Sequence, residues 1–451
     1  MSNVIRLRKG LDIKLKGKAE KIFSKGKLAD TYAVKPTDFP SLTPKLAVKV
    51  GDAVKAGSPL FFDKYHPEVQ FASPVSGTVS EIRRGERRKL LEVVVTPEAE
   101  QAYEKFDTPD LAKLTREEAL ELMLKSGAFP FLVQRPYGII ANPKDTPRDI
   151  FISGFDTAPL APDIDFALTG EGESFQAGID VLRKLTSGKV YLSLPDNVSA
   201  TSIMKSAKGA EVYMFRGAHP AGNVGVQINN IAPINKGEVV WTATPQHVVA
   251  IGKVFTKGIY DVSRLVAVVG SEVKKATYVK AISGAALSSF KEYFNSNSNV
   301  RYISGNVLTG TVIAEDGHTS FYHNQLTVIP EGDHYEFVGW AKPFRTKKFS
   351  FSHSYFSWLM PNKEYKLDTN LNGGERTFVV TGSYEKVLPM DILPIYLIKA
   401  ILAEDIDKME QLGIYEVIEE DIALCEFIDP SKNDMQKILR DGINLMIKEM
   451  S

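Results

Sequence analysis

Three short apolar runs decide the fold: Ile150-Phe-Ile152, Val190-Tyr-Leu-Ser-Leu194 and Glu211-Val-Tyr-Met-Phe215. Each run has the length and composition of a buried strand. Between the first two runs, apolar residues recur at helical spacing at Phe175, Ile179, Leu182 and Leu185. Strands that alternate with helices over short connections form parallel sheets covered by helices. We therefore predict a parallel, Rossmann-like α/β unit over residues 105–258.

Helix boundaries inside this unit are marked by capping residues. Thr115-Arg-Glu-Glu118 matches the capping box, and Gly127 suits the left-handed residue after a helix end. Thr244-Pro245 predicts the start of a further helix, which ends near Gly258. A short helix is also predicted before Gly209.

Residues 1–104 have the pattern of an all-β domain. Runs such as 49–60 and 74–82 alternate apolar and polar residues, with Gly or Asp at the corners. A compact β-sandwich of the biotinyl or lipoyl type fits this pattern. Lys64 stands where such domains carry their modified lysine, but the flanking Met residues are missing and His66-Pro67 follow it. We therefore favour an unmodified sandwich, with a carrier function through Lys64 as the alternative.

The remainder of the chain is predicted as two further units. Residues 259–334 contain strand-like runs at 264–269, 277–282 and 301–303, with a helix at 285–294. An aromatic-rich segment at 335–358 is followed by helices to residue 451. The last helix carries one apolar stripe of Met435, Ile438, Leu439, Ile443, Met446, Ile447 and Met450.

Composition excludes several classes of function. The chain of 451 residues, enough for about three domains, has 55 Lys plus Arg against 55 Asp plus Glu, so no basic surface for nucleic acid is expected. Its single cysteine, Cys425, excludes an internal disulfide and an all-cysteine iron–sulfur cluster. The histidines lack metal-ligand spacing, so we expect no metal site and no catalytic residue.

Nothing in the sequence predicts insertion into a membrane. No apolar run reaches the ~18 residues that a membrane span needs, and the first residues lack a signal-peptide core. We expect a soluble chain that contacts membranes only through partners.

The loop at 217–225 is the most suggestive candidate for a ligand site. Gly217, His219, Gly222 and Gly225 follow a strand of the predicted parallel sheet, where open α/β folds bind ligands. Glycines there let backbone N–H groups approach a phosphate. The spacing is not G-x-G-x-x-G, and no helix is predicted directly after the loop. A structural loop and a nucleotide site therefore both remain open.

Three segments resemble the motifs of one family. They are residues 148–161, around Asp156-Thr-Ala-Pro-Leu160, then Ala218-His-Pro-Ala-Gly-Asn-Val-Gly225, and Tyr384-Glu-Lys-Val-Leu-Pro389 with its continuation to Pro394. On these motifs the chain resembles the A subunits of sodium-translocating NADH:quinone reductases (Na+-NQR), and more distantly the C subunit of the Rnf electron-transport complex. Residues 303–310 resemble the turn of a ligand-binding β-grasp domain (SLBB-like), which assigns that fold to 259–334.

The resemblance implies a peripheral protein on the cytoplasmic face of the bacterial inner membrane. It would belong to a six-subunit complex that oxidises NADH, reduces quinone and exports sodium. Flavins and iron–sulfur clusters would sit on partner subunits, especially membrane ones, and this chain would hold no redox cofactor. The alternative is a flavin- or dinucleotide-binding electron-transfer subunit of an Rnf-like complex.

The resemblance also suggests where quinone would bind. Residues 127–138 match a family stretch around Thr-Arg-Pro-Phe, and the family has been linked to quinone binding. The residues carried over are Phe129, Phe131, Arg135, Pro136 and Tyr137. Aromatic rings would stack on the quinone, and Arg135 would bond a carbonyl oxygen. The alternative is that Arg135-Pro-Tyr-Gly138 is only a turn packed on the sheet edge.

Overall fold

The computed structural model describes residues 4–295, 299–334, 336, 339, 345–352 and 357–450. Much of the predicted aromatic-rich segment lies outside these residues, namely Tyr335, Phe337, Trp340, Phe344, Tyr355 and Phe356.

Strands and helices follow one another in four groups. The first group contains β1 Val4–Arg6, β2 Phe23–Lys25, β3 Tyr32–Val34, β4 Pro44–Leu46, β5 Ala53–Val54, β6 Pro59–Asp63, β7 Gln70–Ala72, β8 Gly77–Arg84 and β9 Leu90–Pro97. The second contains α1 Arg116–Ser126, β10 Val133–Arg135, β11 Ile139–Ile140, β12 Ile150–Ser153, α2 Ile164–Ala167, α3 Gly172–Leu185, β13 Val190–Pro195, β14 Glu211–Arg216, α4 Val224–Ile231, β15 Val240–Ala243 and α5 Pro245–Lys257. The third contains β16 Ser263–Val269, β17 Thr277–Ile282, β18 Val300–Ser304, β19 Thr311–Ile313 and β20 Gln325–Pro330. The last contains α6 Pro394–Leu402, α7 Ile406–Gln411, α8 Glu419–Ile428 and α9 Met435–Met450.

The second group forms a mostly parallel sheet. Its strand order is β1-β14-β13-β12-β15-β10-β11; the first five strands are mutually parallel, and β10 pairs antiparallel with both β15 and β11. The predicted caps are present, since Thr115 and Glu118 form the reciprocal capping box of α1, and Gly127 and Gly258 end α1 and α5 in the left-handed conformation. The short helix predicted before Gly209 is wrong. Turns occur there, and the Ser206 hydroxyl donates to the carbonyl oxygens of Ser202 and Ile203, the kind of local side-chain bond that competes with helix formation.

Two small sheets of the first group pack into a sandwich. Their strand orders are β3-β9-β8-β5 and β4-β6-β7. Phe61 and Phe71 stack between them at 4.6 Å, and both are buried. The first two strands of the chain lie outside this sandwich, which the sequence pattern did not predict. β1 extends the parallel sheet beside β14, and β2 pairs with β17 of the third group.

The third group forms a mixed sheet, and the last group forms a helical unit. The sheet has the order β19-β18-β20-β16-β17-β2. The helix predicted at 285–294 is present as the shorter 3-10 helix Leu287–Tyr293, in which Ser289 bonds the Ala286 carbonyl. In the helical unit, the apolar stripe of α9 is core. Met435, Leu439, Ile443 and Met446 are fully buried there, together with Cys425.

Candidate functional site

A cavity of about 400 Å3 lies where the parallel-sheet unit meets the third group and the helical unit. The parallel-sheet unit contributes residues that follow the carboxyl ends of β12, β14 and β15, which is the edge where α/β sheets usually bind ligands. The third group contributes 305–309 and 322–325, and the helical unit contributes 418–420 and Arg440. The first group adds Asp38 and Pro40, so four separate segments of the chain must fold together to form this cavity.

A buried arginine joins two of these units. Arg135, at the end of β10, is 1% exposed. Its Nη1 donates to Asp421 Oδ2 at 2.8 Å, and its Nη2 donates to Glu420 Oε1 at 2.6 Å. Both carboxylates belong to the first turn of α8, where negative charge also favours the helix dipole. The guanidinium therefore ties the sheet to the helical unit.

A second arginine strengthens the same junction. Arg440 of α9 donates from Nη2 to Glu419 Oε2 at 2.6 Å and from Nη1 to the Tyr137 carbonyl oxygen at 2.8 Å. Its Nε also bonds Glu419. The turn after Arg135 is thus held by a helix that lies 303 residues later in the chain.

The carboxyl groups at the cavity wall have raised pKa values. Burial raises the pKa of Glu420 to about 7, Arg135 opposes this shift, and the neighbouring Asp421 and Asp156 add to it. Burial likewise raises the pKa of Asp156, against hydrogen bonds from the backbone of residues 157 and 158. The wall therefore holds protons more tightly than exposed carboxyls do.

Two histidines line the cavity in their neutral form. His219 is 4% exposed, and its Nδ1 lies 3.1 Å from Thr157 Oγ1. His323 has its Nδ1 at 3.1 Å from Ser304 Oγ. Burial lowers the pKa of each ring to about 4, helped at His323 by Lys35 and Arg264. Both rings are therefore uncharged at neutral pH.

Comparison with known sequences gives full-length matches. Residues 5–98 match the family model of the NqrA N-terminal barrel-sandwich hybrid domain, 114–260 that of the NqrA second alpha/beta domain, and 265–314 that of the NQRA C-terminal domain. The A subunit of the Na(+)-translocating NADH-quinone reductase of Hahella chejuensis is 37% identical over 99% of this chain and 100% of its own length. The corresponding proteins of Pasteurella multocida and Vibrio vulnificus are 36% and 35% identical over the same shares.

This chain belongs to the family of A subunits of Na(+)-translocating NADH-quinone reductases. The family resemblance and the barrel-sandwich fold of the N-terminal domain are thereby confirmed. Among solved structures, an NAD+-reducing [NiFe]-hydrogenase in its air-oxidized and H2-reduced states matches with TM-scores of 0.34 and 0.36. Identity is 12% in each case, over 68% of this chain and 55% of that chain.

The family-derived residues at 129–137 divide into two sets. Phe131 and Arg135 line the cavity, whereas Phe129 is completely buried against Trp241. Pro136 and Tyr137 form the turn beside the cavity, and the Tyr137 ring packs edge-on against Tyr415. Phe131 is itself stacked on His247 at 4.8 Å, so it forms a wall rather than an open stacking platform.

The glycine loop also reaches the cavity. His219 and Gly222 line it, while Gly217 and Gly225 do not. A Cβ on Gly222 would lie 2.6 Å from the Thr157 backbone nitrogen, so glycine is needed for the close approach of the two loops. A helix, α4, does start directly after the loop, contrary to our prediction. The poor helix propensity of Val224 and Gly225 concealed it.

The amino terminus of α4 faces carboxylates of the chain itself. A Cβ on Gly225 would lie 2.3 Å from Asp421 Oδ1, so this carboxylate already packs on the first turn. The Asn223 side chain donates to the Glu420 backbone oxygen at 2.8 Å. The Asp421 carboxylate holds the position that a phosphate would need, which argues against a nucleotide site in this loop.

Sequence reasoning missed the acidic run Glu419-Glu420-Asp421 and the partners of the two histidines. The acidic run has the pattern of an ordinary helix start. Its length of three consecutive acidic residues was the one sign in the sequence that these side chains also serve another purpose.

Lys64 does not lie on a tight hairpin. It lies in the long connection between β6 and β7, where its backbone N–H donates to the Thr43 carbonyl oxygen. Within the described part of the chain, no group of three or more metal-ligating side chains is placed to hold a metal ion.

A carboxyl with a raised pKa predicts a pH dependence that one substitution removes. The native state binds the Glu420 proton more tightly than the unfolded chain, whose value is 4.5. The stability contributed by this group is therefore present at low pH and is lost as pH rises from 4.5 to about 7. We expect the difference in unfolding free energy between wild type and Glu420→Gln to change across this window. Urea denaturation at a series of pH values measures it, and a constant difference would contradict the prediction.

Proposed function

We propose that this chain works as the peripheral A subunit of a sodium-translocating NADH:quinone oxidoreductase, at the cytoplasmic face of the inner membrane. The observation that carries the proposal is the match to relatives of that name over 99% of the chain. Flavins and iron–sulfur clusters would reside on the other members of a six-subunit complex, in agreement with the buried, inert state of Cys425. Burial raises the pKa of this thiol, which keeps it protonated.

The sheets of the second and third groups suggest finer fold assignments. The parallel sheet would be a Rossmann-like domain, and the mixed sheet with its parallel β16–β20 pair would be a β-grasp domain. The rival assignment to a flavin or dinucleotide binder is not favoured, because Asp421 and Glu420 crowd the amino terminus of α4. Among the described residues, no helix combines the length and the apolar character that crossing a bilayer requires.

The cavity is the proposed site for quinone. Its volume of about 400 Å3 falls in the range of small-molecule sites, roughly 300–1,000 Å3. Apolar wall residues include Phe131, Phe155 and Leu308, and they alternate with many polar side chains, among them His219 and His323. A ring with two carbonyl oxygens suits such a mixed lining.

Photo-crosslinking tests this placement on the whole complex. A quinone that carries an aryl azide should label peptides containing residues 131–138, 219–224, 305–309 or 322–325. Excess unlabelled quinone should suppress that labelling. Labelling confined to other segments of this chain, or to partner subunits alone, would refute the site.

Filling the cavity should block the ligand without disturbing the core. Leu308 is partly buried and lines the cavity on the turn after β18. We expect Leu308→Trp to weaken quinone binding at least about tenfold, since the added ring occupies ligand volume. Leu371→Trp, at a side chain that is 54% exposed, is the control. Calorimetric titration measures both, and equal affinity in the two variants would contradict the prediction.

A further inference from the structure

His219 and His323 reach the cavity from different units but share one hydrogen-bonding arrangement. Each ring has Nδ1 tied to a hydroxyl group of its own unit. Each Nε2 has no hydrogen-bond partner among the described residues, and both residues line the cavity. The partners of the two hydroxyls decide which ring nitrogen carries the proton.

The hydroxyl of Thr157 fixes the tautomer of His219. Thr157 Oγ1 accepts the Gly222 backbone N–H at 2.9 Å, which occupies one of its lone pairs. The hydroxyl hydrogen has one acceptor in reach among the described residues, His219 Nδ1 at 3.1 Å. When the hydroxyl donates there, Nδ1 is unprotonated, and the neutral ring must carry its hydrogen on Nε2.

The hydroxyl of Ser304 does the same for His323. Ser304 Oγ accepts the Ser320 backbone N–H at 2.9 Å. Its remaining described partner is His323 Nδ1 at 3.1 Å, to which its hydrogen is therefore donated. The two sites thus have the same chain of hydrogen bonds. A backbone N–H donates to the hydroxyl oxygen, the hydroxyl donates to Nδ1 of the histidine, and the Nε2–H has no partner among the described residues. Because both rings are neutral, each is a donor without net charge.

We propose that His219 and His323 act as a pair of hydrogen-bond donors in the cavity, and that their Nε2–H groups hold the carbonyl oxygens of a planar dicarbonyl ligand. This assignment rests on the proposed function, since it names the contacts through which quinone would bind. Arg135, which the family resemblance assigned to that role, is already committed to Asp421 and Glu420. Two neutral donors match two carbonyl acceptors without burying an unpaired charge.

The arrangement also favours the oxidised ligand. A quinone presents only acceptor oxygens, which fit two fixed N–H donors. A quinol carries two O–H hydrogens that need acceptors. In each histidine Nδ1 already accepts from a hydroxyl group and Nε2 carries a hydrogen, so neither nitrogen can accept another hydrogen bond. These two histidine contacts therefore favour the quinone over the quinol.

A matched pair of ligands tests the donors without any substitution. Menadione and 2-methylnaphthalene share one ring system and methyl group, but only menadione has two carbonyl oxygens. We expect menadione to bind the purified full-length chain at least about tenfold more tightly, as two hydrogen bonds would give. Equal or tighter binding of 2-methylnaphthalene would overturn the two-donor assignment.

Substitutions then assign the contacts to residues. His219→Phe and His323→Phe keep a ring but remove the donor, and each should weaken menadione binding about tenfold. His219→Gln and His323→Gln keep an N–H group and should recover part of the loss. His334→Asn, at a side chain that is 52% exposed, is the control. Nitrogen NMR of the labelled imidazoles should show protonated Nε2 in the wild type and mixed tautomers in Thr157→Val and Ser304→Ala.

These outcomes distinguish a failure of the histidine assignment from a failure of the proposed quinone site. If the wild type binds menadione and both Phe variants keep its affinity, the histidine assignment fails while quinone binding stands. If the wild type binds no menadione, and the azide labels no cavity peptide in the complex, the proposed quinone site itself fails.

Discussion

Arg135→Met should lower the free energy of unfolding by about 3–5 kcal/mol, the usual cost of removing one partner from a buried ion pair. Arg135 is 1% exposed, and Asp421 is completely buried. Without the guanidinium, Asp421 would keep only the Ile418 N–H at 3.0 Å on the oxygen that Arg135 contacts. Glu420 would lose its ion-pair partner as well. The cost comes mainly from the buried Asp421 carboxylate left without its cation, rather than from lost packing.

Denaturation in guanidinium chloride, followed by far-ultraviolet circular dichroism, measures this loss. Lys189→Met is the matched control, because Lys189 pairs with Glu211 at the surface and exposed pairs contribute little. A variant that combines Arg135→Met with Glu420→Gln and Asp421→Asn removes the stranded charges and should recover much of the stability. If Arg135→Met loses no more unfolding free energy than Lys189→Met, the role assigned to Arg135 in joining the sheet to the helical unit is contradicted.

Local pattern was sufficient to predict three central strands of the parallel sheet. β12, β13 and β14 are short runs rich in apolar residues, and their identity depends on neighbours within a few positions. The capping box at Thr115 and the left-handed Gly127 are equally local. Such features are encoded by side-chain chemistry that acts within one turn of the chain.

Long-range pairing could not be derived in this way. β1 joins the sheet beside β14, some two hundred residues later, and nothing in the three residues Val4–Arg6 specifies that edge. Likewise, Arg135 pairs with carboxylates 285 and 286 positions away. The acidic start of α8 serves two purposes, helix capping and ion pairing, and the sequence alone displays only the first.

The candidate site was predicted in pieces rather than as a whole. Residues 129–137 came from family resemblance and residues 217–225 from the position of a loop after a strand. The structure brings Phe131 and Arg135 together with His219 and Gly222 around one cavity. His323 and its hydroxyl partner belong to the third group of elements, and no local motif marks them. Their role depends on geometry that appears only when all the units that line the cavity pack together.

Gly225 provides a second way to disturb the junction, from the side of the glycine loop. A Cβ at this position would lie 2.3 and 2.5 Å from the two carboxylate oxygens of Asp421. Asp421 cannot retreat without losing Arg135, because its Oδ2 accepts from Nη1 at 2.8 Å. We therefore expect Gly225→Ala to destabilise the protein by about 3 kcal/mol, the upper end for overpacking a core. The better helix propensity of alanine offsets only about 1 kcal/mol of the strain.

Gly172→Ala is the matched control, since Gly172 also lies in the first turn of a helix but its added Cβ would meet Ile203 at an ordinary 3.5 Å. That variant should be neutral or slightly stabilised. Because Gly225→Ala and Arg135→Met damage the same contact, their combined effect should fall short of the sum by at least about 1 kcal/mol, as expected for groups that share a partner. Strict additivity in this double-mutant cycle would show that the loop and Arg135 act on Asp421 independently. The glycine at 225 would then serve the helix start alone.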